Sequence, residues 1–158
     1  MHRIGFGYDS HRLVAGRQLV LGGVAVDCDR GLAGHSDADV VLHAITDAIL
    51  GAAGADDIGQ LFPDSDPQWS GADSSVFVAH ALALAGKSHL GVCNCDVTIV
   101  AEQPKLGAAK ARMRRGIAEL LGVDETAVAV KAKTNEGMGA VGRGEGVVAM
   151  ATVLMSDE

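Results

Sequence analysis

The chain has 158 residues, 48% of them hydrophobic but only 3% aromatic, with a formal net charge of −7 at pH 7. This suits one domain over residues 1–158 with a core of Ala, Val and Leu, and the acidic balance excludes nucleic acid as a main partner, because phosphate backbones need a basic footprint. No apolar run reaches the ~18 residues of a membrane span, the N-terminus lacks a signal-peptide core, and three cysteines do not read as a disulfide framework, so a cytoplasmic enzyme is expected.

A first strand is predicted over about residues 2–9. If it continues to His11, Asp9 and His11 stand at i and i+2 and point to one face. A hairpin-like excursion follows through Gln18-Leu19-Val20-Leu21, closed by Gly22-Gly23. The capping residues of His35-Ser36-Asp37 then open a helix over about 37–53 that carries His43. One carboxylate and two imidazoles, Asp9, His11 and His43, make a catalytic zinc set with a coordination position left open. A D-x-H tripeptide alone is weak, because exposed Asp and His are common. Asp39 and Asp47, four residues to either side of His43, strengthen it, since either could accept the second ring N–H.

After that helix comes an acidic, Pro-punctuated stretch, Asp56 to Pro67, that by itself reads as a surface loop. A second helix is predicted over about 74–85, stopped by Gly86, and a second strand over 92–101. Cys93 and Cys95 alternate with polar residues there and are expected together on the apolar face. A third helix is predicted from near Pro104, with Leu106, Ala109, Met113, Ile117 and Leu120 on one stripe and a stop at Gly122. The Arg112-Met113-Arg114-Arg115 cluster is read as its solvated face. A third strand, 128–134, and a Gly-rich loop, 137–146, lead to a last strand, 147–154, that is apolar on both faces. The order β-α-α-β-α-β-β predicts an α+β sandwich with helices on one face of a mixed sheet. The sheet's other face then needs more protein, which predicts an oligomer. No Ser-His-Asp or Cys-His pair for nucleophilic attack is evident.

Seven segments stand in order: Gly5-Phe6-Gly7-Tyr8-Asp9-Ser10-His11, His35-Ser36-Asp37, His43, Asp57-Ile58-Gly59, Phe62-Pro63-Asp64-Ser65-Asp66, Lys131-Ala132-Lys133-Thr134-Asn135-Glu136 and Gly142-Arg143-Gly144-Glu145-Gly146. Together they resemble the 2-C-methyl-D-erythritol 2,4-cyclodiphosphate synthase family, from Arg3 to about Leu154. The resemblance implies a ferredoxin-like subunit, sheets packed around a homotrimer axis, and active sites between neighbouring subunits. The implied reaction closes a cytidine diphosphate substrate of the methylerythritol phosphate route into a cyclic diphosphate and CMP. It is a metal-dependent phosphorus–oxygen lyase reaction, in which positioning and charge neutralisation carry the catalysis.

By the same resemblance Asp9, His11 and His43 hold one Zn²⁺ per subunit. Glu136 takes a second divalent ion, Mg²⁺ or Mn²⁺, with the substrate diphosphate. His35 and Thr134 touch the reacting phosphates. Ser10 and Ser36 join them, with N–H groups near Ser36 lying at a helix start that favours anions. Asp57-Ile58-Gly59 and Phe62-Pro63-Asp64-Ser65-Asp66 bind methylerythritol, and Ala101-Glu102-Gln103-Pro104-Lys105-Leu106-Gly107 binds cytidine. Lys133 and Asn135 flank Thr134 in the phosphate segment, and Arg143 meets either phosphate or a structural ion partner.

Two departures stand out. Lys133 replaces a hydroxyl residue, and Ala140 an aromatic one. Met150 stands where relatives commonly carry an acid near Arg143 on the axis. Arginines gathered there need a carboxylate or a bound anion, such as phosphate, sulfate or an isoprenoid diphosphate. Two rival readings use the same ligands: a zinc- or nucleotide-binding regulatory module without turnover, and a zinc phosphoester hydrolase.

Overall fold

Strand β1 of the computed structural model runs over His2–Ala15; the structure describes residues 1–157. It passes the expected end near residue 9 because the closing strand β7 (Gly146–Asp157) stays beside it, with Asp9 opposite Ala149 and His11 opposite Val147. Its last residues then pair with β4 (Arg30–Leu32). The excursion between them is a hairpin, β2 (Leu19–Leu21) and β3 (Val24–Val26). It turns on Gly22 and Gly23, whose φ values of 59° and 75° suit the two-residue turn that glycine favours.

Helix α1 spans Val40–Ala53 and starts later than the predicted Asp37. Ala38 has φ 57°, outside the helical region, and Asp39 is the N-cap. The Asp56–Pro67 stretch contains one helical turn, α2 (Ile58–Leu61), capped by Asp57, and runs into a 3₁₀ turn, Pro67–Trp69, capped by Asp66. Helix α3 covers Ser75–Gly86 and strand β5 covers Leu90–Val100. Helix α4 (Lys110–Leu121) does not begin at Pro104, which lies in a bend. The predicted stripe is nevertheless inward, with Leu106, Ala109, Met113 and Ile117 buried and Gly122 closing the helix in the left-handed region. Strand β6 (Val128–Lys133) and a single turn, α5 (Gly139–Gly142), complete the chain. No described helix is long and apolar enough to cross a membrane.

The sheet order is β4-β1-β7-β5-β6, parallel only between β5 and β6, so the fold is a mixed α+β sandwich. Val147, Ala149, Ala151, Val153 and Met155 of β7 are buried on the helix side. On the opposite side Ile4, Phe6 and Tyr8 of β1 are 72%, 60% and 55% exposed, so this chain leaves that face uncovered. Cys93 departs from expectation. The register of β5 shifts between Val92 and Asn94, and this bulge turns Cys93 outward while Cys95 stays in the core. Burial pushes the Cys95 thiol up to about 12, consistent with an inert core residue.

Two contacts fix α1. Gly5 and Gly7 lie under it so closely that an added Cβ would stand 1.7 Å from the Ala48 carbonyl oxygen and 1.9 Å from that of Ala44. At its start, the fully buried Asp39 carboxylate accepts from the backbone N–H groups of Gly22 (2.9 Å), Gly23 (2.7 Å), Val41 (3.1 Å) and Leu42 (3.1 Å). The hairpin turn is thereby pinned to the helix N-terminus.

Gly7→Ala is expected to force α1 off the sheet and destabilise the fold by about 2–3 kcal/mol or more, read as a lower urea midpoint at unchanged slope. Burial raises the Asp39 pKa from near 3.8 to about 6 despite its N–H donors. The folded state therefore holds a proton there that the unfolded chain has released, and this contribution is lost as pH rises through about 6. The stability advantage over Asp39→Asn should shrink between pH 4 and 6 by up to about 3 kcal/mol, measured by urea titration at each pH.

Candidate metal centre and substrate cleft

Alternation along β1 turns Asp9 and His11 toward the helices, on the side of Gly5 and Gly7, and the close seating of α1 brings His43 down onto them. Asp9 Oδ2 is 3.0 Å from His11 Nε2 and 3.0 Å from His43 Nδ1, and the two ring nitrogens are 3.1 Å apart. The other carboxylate oxygen, Oδ1, accepts from Ser10 N at 2.8 Å, which aims Oδ2 at the histidines. A tetrahedral ion with bonds of roughly 2.0–2.1 Å keeps its ligand atoms about 3.3 Å apart, so this nearly equilateral set fits a zinc-sized ion after a small opening. Burial works to raise the Asp9 pKa, but hydrogen bonds and charge from His11 and His43 hold it well below the usual carboxylate range. The carboxylate stays ionised, as a metal ligand must.

The flanking acids do not orient His43. Asp39 is consumed by the hairpin turn and the helix start, and Asp47 accepts from Ile58 N at 2.8 Å, fixing α2. Burial first, then neighbouring carboxylates, raise the Asp47 pKa. The second nitrogen of His43 meets hydroxyls instead: Ser74 Oγ at 3.0 Å and Ser36 Oγ at 3.2 Å. Ser74 Oγ in turn makes a short hydrogen bond to Asp37. A Ser–His–Asp chain, Ser74–His43–Asp9, is thus present although none was evident in the sequence. It is not a nucleophilic triad, because Ser74 is fully buried and its hydroxyl is committed to Asp37.

His35 and Ser36 sit in a loop clamped by Arg17, whose guanidinium donates to the carbonyls of Gly34 (2.9 Å) and Ser36 (2.8 Å). His35 lines the cleft, its Nε2 3.3 Å from the Asp66 carbonyl oxygen. The Ser36 side chain turns inward and is buried, accepting from Ala38 N. The helix start expected near Ser36 lies further along the chain. Helix α1 begins only at Val40, and Asp39 takes the N–H groups of Val41 and Leu42 at its start.

A cleft of about 330 Å³ joins these residues to Ile58, Gly59, Phe62, Pro63 and Asp64. The acidic loop is therefore a wall of the site. Sequence reading missed Trp69 and Phe77, which stand with Phe62 in a ring cluster at centroid distances of 4.9–5.6 Å. Scarcity was the available signal: the chain has five aromatic residues, and these three share one cleft. Asp57 caps α2, Asp66 caps the following turn, and Ser65 lies between the Phe62 wall and that turn.

Thr134 and Glu136 are not brought to this cleft. They follow β6, which β7 and β5 separate from β1, a span of about 14 Å at ~4.8 Å per strand. Thr134 Oγ1 donates to Glu136 at 3.2 Å, and Glu136 holds φ 52°. Glu102 binds this loop from the neighbouring segment, accepting from Asn135 N (2.8 Å) and Gly137 N (3.2 Å). Ala101 and Leu106 are buried there, while Gln103, Pro104, Lys105 and Gly107 form the bend around them, and Lys133 is exposed at the end of β6. Arg143 pairs with Glu145 at 2.6 Å, and this holds the Glu145 pKa down. Glu145 thus gives Arg143 a carboxylate partner within the chain. Ala140 lines a separate hollow of about 300 Å³ with Tyr8, Arg12 and Glu145 on the uncovered side of the sheet.

The YgbB family model matches residues 2–156. A Geobacter metallireducens protein named 2-C-methyl-D-erythritol 2,4-cyclodiphosphate synthase is 56% identical over 97% of this chain and 98% of its own. Among solved structures, the bifunctional IspDF from Campylobacter jejuni superposes with a TM-score of 0.95 at 38% identity, over all of this chain and 43% of that one. A CDP complex of IspF from Plasmodium falciparum superposes with a TM-score of 0.87 at 33% identity, over 99% of this chain and 97% of that one. With its length matched and its metal-ligand set assembled, the chain belongs to the YgbB family, beside relatives named 2-C-methyl-D-erythritol 2,4-cyclodiphosphate synthase.

Proposed function

We propose that this chain converts 4-diphosphocytidyl-2-C-methyl-D-erythritol 2-phosphate to 2-C-methyl-D-erythritol 2,4-cyclodiphosphate and CMP, as a phosphorus–oxygen lyase of the methylerythritol phosphate route. The observation that carries this reading is the convergence of Asp9, His11 and His43 in one cleft with His35 and an aromatic wall. The CDP bound by the Plasmodium falciparum relative supports a cytidine nucleotide as ligand.

An oxygen of the 2-phosphate attacks the β-phosphorus, and the bond from that phosphorus to the bridging oxygen breaks, its electron pair leaving on CMP. A phosphate monoester is largely ionised near neutral pH, so no side chain has to remove a proton from the nucleophile. Zn²⁺ on Asp9, His11 and His43, and Mg²⁺ or Mn²⁺ on Glu136, would supply Lewis acidity and neutralise the two meeting anions. His35 orients the phosphates from its Arg17-clamped loop, and Thr134 donates a hydroxyl to the same group. Phe62, Trp69 and Phe77 exclude water from one side of the substrate, which favours ring closure over hydrolysis. Asp57 to Gly59 and Phe62 to Asp66 hold the methylerythritol, and Ala101 to Gly107 read the cytosine. Because Thr134 and Glu136 lie far from the cleft within one chain, a neighbouring copy completes each site. The assembly is a homotrimer, with the faces bearing Ile4, Phe6 and Tyr8 turned inward.

Phosphorus NMR of the protein with the diphosphocytidyl substrate is expected to show cyclic diphosphate and CMP in equal amounts, with no label entering the ring from ¹⁸O-water. Linear products or labelled ring would establish a hydrolase, and an unchanged spectrum a binding module. His43→Ala should lose about 10³-fold or more in kcat/KM, together with its zinc by elemental analysis, while the assembly mass by light scattering stays that of the parent. Undiminished cyclisation in zinc-free His43→Ala would refute the metal assignment.

A further inference from the structure

The hydrogen bonds behind His43 decide which of its ring nitrogens can hold a metal. Nδ1 faces Asp9 Oδ2 at 3.0 Å and His11 at 3.1 Å, and Nε2 faces Ser74 Oγ at 3.0 Å and Ser36 Oγ at 3.2 Å. A metal needs the lone pair on Nδ1, so the single proton of the neutral ring must sit on Nε2. Asp9 opposes this, since a carboxylate at hydrogen-bond distance from Nδ1 draws the proton to that side.

The protons behind the ring can be counted. The Asp37 carboxylate only accepts: it takes Ser74 N at 3.2 Å, Asp39 N at 3.1 Å and the Ser74 hydroxyl. With its one proton committed to Asp37, Ser74 Oγ can meet His43 only as an acceptor. Ser36 Oγ already accepts from Ala38 N at 3.1 Å, and its own proton has two places to go, Ser74 Oγ at 3.4 Å or Nε2 itself at 3.2 Å. Ser74 therefore presents an oxygen lone pair to Nε2, and Ser36 does the same once its proton turns to Ser74 Oγ. Ser74 is fully buried and Ser36 nearly so, which leaves water little access to reverse the arrangement.

We propose that Ser74 and Asp37 are positioning residues that hold His43 in the Nε2–H tautomer and so keep Nδ1 free as a metal donor. Two carboxylates compete for one ring proton, Asp9 directly and Asp37 through Ser74, and the Asp37 side prevails. This rests on the metal site proposed above.

The test reads ring ¹⁵N shifts of histidine-labelled, metal-free protein at mildly alkaline pH, and zinc affinity by competition with a chelator. The parent should show His43 protonated on Nε2. Ser74→Ala should shift the proton to Nδ1 and weaken zinc binding 10–100-fold, whereas Ser74→Thr, which keeps the hydroxyl, should restore both. Asp37→Asn, which keeps the side-chain size, should weaken the tautomer preference in the same direction and serves if Ser74→Ala does not fold. A merely structural role would lower the melting temperature and leave the ¹⁵N pattern unmoved. Parent-like tautomer and zinc affinity in Ser74→Ala or Asp37→Asn would overturn the proposal. A parent that shows the Nε2–H tautomer but takes up no zinc would overturn the metal reading alone, because the tautomer is read without metal.

Discussion

The seating of α1 on the bare backbone of β1 is the constraint on which the site depends. Side chains usually stand between a helix and the sheet it covers. Here Gly5 and Gly7 leave no Cβ between them and the carbonyls of Ala44 and Ala48. The same strand supplies Asp9 and His11 immediately afterwards, and the same helix supplies His43 immediately before Ala44. A helix at ordinary distance could not bring an imidazole nitrogen to 3.0 Å from the Asp9 carboxylate. The metal set is thus a by-product of how two glycines pack, and the hairpin gripping Asp39 sets where along the strand the helix begins.

Much of this was legible because it rests on local periodicity. Alternation put Asp9 and His11 on one face, a stripe of apolar residues identified the buried side of α4, and paired glycines announced the hairpin turn. What stayed hidden depended on partners distant in the chain. Asp39 and Asp47 sit at the right helical spacing to serve His43, yet each is claimed by backbone N–H groups from another segment. Ser74 is far from His43 in sequence and reaches it only because α3 packs against α1. Cys93 was misplaced because one bulge reverses the parity of everything before it, and no local pattern marks where a bulge will fall.

The resemblance to a known family and the single-chain geometry contribute different things. The resemblance grouped His35 and Thr134 around the reacting phosphates, whereas the sheet order puts β1, β7 and β5 between β4, which precedes His35, and β6, which precedes Thr134. On the proposed function, two half-sites on separated strands of one sheet would become a whole site only by association. The uncovered face with Ile4, Phe6 and Tyr8 would give the proposed association its driving force. Sequence reading could predict such a face from a last strand that is apolar on both sides, but not which loops association would join.

Trp69 is the chain's lone tryptophan, and it stands in the cleft wall against Phe62 and Phe77. Indole emission from this protein therefore originates at one place, beside the site where a ligand would settle. Displacement of water from that wall, or the approach of a stacked base or a quenching ion, would register as a change in colour or intensity. The fold carries its own optical reporter, free of background from the core, because no other indole exists to dilute the signal.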